Sequence, residues 1–189
     1  MRLSISPGNK KIGRTPNISL PPRVSCSPSA PCQKDCYALK AYRMYPQSRT
    51  AWTNNYTLYN ADPVDYFRQL NIFLTRTRKT VFRYHVSGDI PDQSYLDNMI
   101  SIADLFPHII FFTYTKKYDL NFANLPSNLK IRISAWPHYL FHNLFNLPVT
   151  YMQDGTETRI PDVYAQCPGS CATCQICWTS DVPVVINKH

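Results

Sequence analysis

Thr80-Val81-Phe82-Arg83-Tyr84-His85-Val86 reads as a strand, and it is followed by a helical stretch over 92–106 and a second strand over 108–114. That βαβ unit decides the fold, because a crossover of this length favours parallel pairing with a right-handed connection. The helix carries Leu96, Met99, Ile100, Ala103 and Phe106 on one face. In the first strand Phe82, Tyr84 and Val86 alternate with Arg83, His85 and Ser87. Where helices cover a parallel sheet the apolar side faces them, so Arg83 and His85 are expected to project into a barrel interior. An unpaired charge there is costly and ordinarily has a partner or a ligand. A structural ion pair is the plainer reading of the same residues.

Two further strands follow at 129–134 and 149–152, on either side of the aromatic run Trp136-Pro137-His138-Tyr139-Leu140-Phe141. Arg132, flanked on its face by Lys130 and Ser134, is expected to point inward as Arg83 does. Upstream, Asp62-Pro63-Val64-Asp65 is a helix start, with an N-cap, a proline at the first helical position and an acid in the first turn. Phe67, Leu70, Phe73 and Leu74 form the apolar face of that helix. Earlier helical registers run through Leu39, Tyr42 and Arg43 and through Trp52, Tyr56 and Tyr59, with Pro46 between them. Residues 1–31 are rich in Pro, Ser and Asn; only Asn17-Ile18-Ser19-Leu20 and Arg23-Val24-Ser25 read as extended, with one short strand expected to end at Cys26. The whole reads as one α/β domain over 1–189, a small incomplete parallel (β/α) barrel of about four or five strands. It is flanked by a basic, irregular, cysteine-containing arm (1–36) and a cysteine-rich C-terminal segment (155–189).

The opening strand runs out in Ser87-Gly88-Asp89-Ile90-Pro91, and Gly88 is the only glycine between Gly13 and Gly155. In so glycine-poor a chain, a glycine marks a positive φ or a close backbone approach. The C-terminal ends of parallel strands are where such sheets bind ligands. Arg83, His85, Ser87, Gly88, Asp89 and Arg132 are therefore the candidate substrate-binding residues, for a small or anionic molecule. A plain turn is the alternative reading of Gly88-Asp89.

All seven cysteines fall in two tight groups, Cys26, Cys32 and Cys36 in one and Cys167, Cys171, Cys174 and Cys177 in the other. An odd count in a chain of this length argues against a disulfide scaffold. The spacing C-x3-C-x2-C-x2-C of the second group is too tight for two strain-free disulfides and suits thiolates around one metal centre. A [4Fe-4S] cluster is the leading expectation, either one cluster drawing on both groups or two neighbouring sites. A fully ligated cluster suits electron transfer or structure, whereas an open iron could bind substrate. The rival is a structural zinc site stapling the C-terminal segment, which would leave three thiols unused.

The formal charge of +8 comes from 20 Lys and Arg against 12 Asp and Glu, and it is an N-terminal property. Through Arg49 there are nine basic residues and one acid, Asp35. This arm is either a solvated basic loop or a contact for nucleic acid. No uninterrupted apolar stretch is long enough to span a membrane, and the start lacks the apolar region of a secretion signal. A cytosolic setting, where thiols and metal thiolates survive, is expected.

Taken together, Cys32-Gln33-Lys34-Asp35-Cys36-Tyr37-Ala38, Phe82-Arg83-Tyr84-His85-Val86-Ser87-Gly88-Asp89, Phe112-Thr113-Tyr114-Thr115, Ser134-Ala135-Trp136, Cys167-Pro168 and Cys171-Ala172-Thr173-Cys174-Gln175-Ile176-Cys177-Trp178 carry a resemblance. From about Cys26 onward the chain resembles the phage and plasmid proteins named after mycobacteriophage gene product eighty-eight. The resemblance implies a phage origin, hence the cytoplasm of an infected host, and no particular activity. A weaker likeness is to radical S-adenosylmethionine enzymes, whose partial barrels carry three cluster cysteines after the first strand and a glycine-rich acidic motif after the second. Cys26, Cys32 and Cys36 would take the first place and Ser87-Gly88-Asp89 the second, which implies S-adenosylmethionine as a cofactor at an open iron. The pattern departs from that superfamily. The spacing here is C-x5-C-x3-C rather than C-x3-C-x2-C, and Ser-Gly-Asp replaces a Gly-Gly-Glu type motif.

Overall fold

The computed structural model describes residues 1–157 and 159–188. Its strands are β1 (Asn17–Ile18), β2 (Val81–Tyr84), β3 (Ile110–Thr115), β4 (Leu129–Ala135), β5 (Val149–Gln153), β6 (Ala165–Gln166) and β7 (Val184–Asn187). Its helices are α1 (Tyr37–Met44), α2 (Pro46–Ala61), α3 (Pro63–Arg76), α4 (Gln93–Leu105) and α5 (Ile176–Thr179). Among the described residues every strand pairing is parallel, in the order β1-β2-β3-β4-β5-β7-β6. The fold is α/β, and its sheet stays open between β1 and β6 as in a partial barrel.

Local chemistry sets the helix starts. The Asp62 carboxylate accepts from the Asp65 amide at 2.9 Å with Pro63 at the first helical position, and Asp92 accepts from the Tyr95 amide at 2.8 Å. Each cap satisfies a donor that the helix cannot pair internally. The buried faces of α3 (Tyr66, Phe67, Leu70, Leu74) and α4 (Leu96, Met99, Ile102, Ala103) pack on Ile18, Phe82, Tyr84, Phe111, Leu129, Ile131 and Ile133. Burial of each large side chain is worth roughly 1.5–3 kcal/mol. The other sheet face carries a second, smaller core of Phe112 and Val184, closed by Cys177 and Trp178 of α5. The Trp178 ring lies 4.6 Å from that of Phe112, so α5 fills part of the sheet's inner side. Among the described residues no helix is long and apolar enough to cross a membrane.

Three expectations are corrected. Among the described residues the sheet has seven strands rather than four or five: β1 falls inside the extended 17–20 stretch, and the additions are β6, only two residues long, and β7 over Val184–Asn187. No strand ends at Cys26. Pro21 and Pro22 cannot donate to a ladder, and Arg23 at φ 68° turns the chain, leaving Cys26 in a loop well past β1. On α4, Ile102 rather than Ile100 is fully buried.

Candidate functional site

Gly88 sits where β2 gives way to the loop before α4, with φ +82°. A Cβ there would stand 2.5 Å from Ser25 Oγ and 2.8 Å from Leu20 Cβ. Both needs that a glycine meets are thus present, a left-handed backbone and a close approach. The approach lets Ser87 O accept from the Leu20 amide at 3.0 Å and Ser25 Oγ accept from the Asp89 amide at 3.3 Å, which pins the N-terminal arm to the end of β2.

Asp89 is buried, and its carboxylate accepts from Thr115 Oγ1, the Ile90 amide and the Lys116 amide, each at 2.8 Å. It therefore ties the end of β2 to the end of β3. Burial pushes its carboxyl up from the ordinary value, while the Lys116 charge and these donors pull it back. His85 follows the last residue of β2, and its Nε2 meets Tyr95 Oη of α4 at 3.0 Å, with Tyr66 Oη 2.7 Å further along. Burial first, then the Arg83 charge, hold this imidazole down to about 3, so it is neutral. Arg83 points inward, its guanidinium 5.5 Å and 5.2 Å from the ring centres of Phe112 and Tyr114. Among the described residues no carboxylate ion-pairs with it.

These residues open on one cavity of about 200 Å³ at the C-terminal ends of the strands. Arg83, His85, Ser87, Gly88 and Asp89 line it on the β2 side, Tyr114 and Lys116 at β3, Ser134 and Trp136 at β4, Thr150 and Met152 on β5, and Ile186 on β7. Cys26, Cys32 and Cys36 line it from the N-terminal loop, and Cys167 and Cys171 from the C-terminal segment. Five of the seven thiols thus share the cavity, drawn from both groups. Direct contacts join the groups' segments. The Cys171 amide donates to Lys11 O at 2.8 Å, and Lys188 Nζ lies 3.0 Å from Asp35 Oδ2, beside Cys36.

All seven cysteines are free thiols. Burial pushes Cys26 up to about 12, with the Asp89 charge adding to it, and burial also raises Cys32, Cys171 and Cys177. As the side chains stand, no three of the described Cys, His, Asp or Glu groups converge on one metal position. The donor chemistry nonetheless fits a soft metal. Five thiols line one cavity, and a bound cation would reverse the cost of ionising them.

The structure places three of the expected residues outside the cavity lining. Arg132 is buried on the inner face, where Nε donates to Thr150 Oγ1 at 3.2 Å, Nη1 to Ser180 O at 2.9 Å, and Nη2 to Val182 O and more distantly Val149 O. Its donors hold the C-terminal segment rather than a ligand. Cys174 lies outside the lining, and Cys177 is packed in the α5 core. Lys116 and Trp136, absent from the expected site residues, also line the cavity. Their signal was position, each falling directly after a strand of the parallel sheet.

No curated protein and no solved structure matches the chain. A family model described as Gene product 88 matches residues 3–140. The match begins well before Cys26, takes in the first cysteine group and the β2 motif, and stops short of the second cysteine group. With well over half of its 189 residues matched, the chain belongs to the Gene product 88 family.

Proposed function

We propose that this protein is an iron-sulfur protein of the phage type, holding a [4Fe-4S] cluster at the open mouth of its parallel sheet. The observation that supports the reading is the gathering of Cys26, Cys32, Cys36, Cys167 and Cys171 around one cavity at the ligand-binding end of the strands. Cys174 and Cys177 follow on the same segment, outside the lining, and would be the further thiolates available to such a cluster. Bound there, a cluster would supply one-electron chemistry or, with an iron left open, a site for substrate. The chain's own residues enclose the thiols, and Arg83 and Lys116 place positive charge beside them. The setting we propose is the reducing cytoplasm of an infected cell.

The test is iron and acid-labile sulfide per chain on anaerobically purified protein, with visible absorption. About four of each, in a brown sample, are expected for one cluster. A colourless, zinc-loaded protein would overturn the reading in favour of a structural zinc site, with the basic arm then tested on nucleic acid. Added S-adenosylmethionine forms a further arm. A changed electron paramagnetic spectrum of the reduced cluster would assign an open iron, and an unchanged one a redox or structural cluster.

A further inference from the structure

Buried donors without partners show what a cavity is shaped to receive, because each one costs free energy until an acceptor arrives. Arg83 Nε, His85 Nδ1, Ser87 Oγ and Trp136 Nε1 are buried polar atoms without a hydrogen-bond partner among the described residues. All four belong to side chains that line this cavity, Trp136 also bordering a neighbouring one with Tyr139 and Phe141. His85 is 5% exposed and Ser87 2%. Arg83 Nε and Trp136 Nε1 can only donate, so whatever satisfies them carries acceptors. The two lie on opposite sides of the mouth. Arg83 is on β2 and Trp136 follows β4, two strand spacings or about 10 Å across at the backbone.

The two ends differ in charge. At the β2 end the Arg83 guanidinium, with no described carboxylate paired to it, stands beside Ser87 and His85, while the Asp89 carboxylate in the same lining is already held by Thr115 Oγ1 and the Ile90 and Lys116 amides. At the β4 end Trp136 offers a single neutral N–H. Between them the wall is partly apolar, with Met152 and Ile186. From this arrangement we infer that the cavity binds a short organic carboxylate with a second, neutral acceptor at its far end. The carboxylate is held by Arg83 with Ser87, and the far acceptor by Trp136. This deepens the cluster reading and rests on it for the cavity's role, placing an organic ligand beside the thiols.

The test uses the protein as purified anaerobically, titrated with 4-oxopentanoate, glutarate, acetate and inorganic phosphate, with binding followed by calorimetry and metal content measured on the same samples. Saturable binding of 4-oxopentanoate is expected, tighter than that of acetate, which cannot span the mouth, and with phosphate excluded. Trp136→Phe and Arg83→Gln should each weaken it about tenfold or more, the scale of a lost buried donor or charge-assisted bond. Ser87→Ala, a small change that spares the sheet, should weaken it less. The inference is overturned if none of the carboxylates binds saturably, if phosphate binds in their place, or if Trp136→Phe and Ser87→Ala bind as the parent does. Iron present with no carboxylate bound would sink this inference alone. Carboxylate bound without iron would sink the cluster reading alone.

Discussion

At Gly88 a single methyl group would meet Ser25 and Leu20 inside ordinary contact distance and force a left-handed backbone on a residue that resists it. Gly88→Ala should therefore lower the free energy of unfolding by about 3 kcal/mol, combining backbone strain and overpacking. The midpoint of urea unfolding checks this, and an unshifted midpoint would show that the β2 end tolerates a side chain. His85 gives a residue-scale pH dependence whose sign follows from its depressed value. Above its ordinary 6.5 both folded and unfolded imidazoles are neutral and the stability is whole. As pH falls from 6.5 toward about 3 the unfolded chain takes up a proton that the native state refuses, so stability declines by about 1.4 kcal/mol per unit. His85→Gln should flatten that decline, most visibly between pH 5 and 6.5, before carboxylates titrate.

At the scale of elements, α5 is four residues long and has no stability of its own. Trp178 on Phe112 and the Arg132 donors to Ser180 O and Val182 O keep it in place. Arg132→Met should leave those carbonyls without a donor and speed amide exchange across 165–188, while α3 and α4 keep their protection. Exchange slowed as in the parent would deny Arg132 this role. Arg132 also shows where sequence reading stops. Alternation along β4 reveals that it points inward, but its partners lie 48 and 50 residues further on, and no periodicity records them. The βαβ unit and the capped helices were legible because their period and caps are local. β1 showed as an extended 17–20 stretch, whereas β6 did not show, since two residues have no period, and β7 was hidden in an apolar run behind the cysteines. Gly88 was legible through scarcity alone, whereas Trp136 needed the strand order to bring it opposite Arg83.

Across the whole molecule, the two cysteine groups come together only when the full sheet has formed. If they serve one site, Cys32→Ala and Cys171→Ala should each strip most of the metal, and the double variant should lose little more. Losses that add would instead indicate two independent sites. Metal analysis of the three variants settles which. The strand order carries a further consequence, one of timing. β6 has no sheet neighbour until β7, made later, slots between it and β5, and the Cys167 amide is fastened to Val185 O of that same late strand. Synthesis delivers the N-terminal half first. A nascent chain can therefore assemble β1 to β5 and their helices while the wall of the cavity that holds Cys167 is still missing. The pocket is finished last, by a strand threaded into an interior position rather than added at an edge.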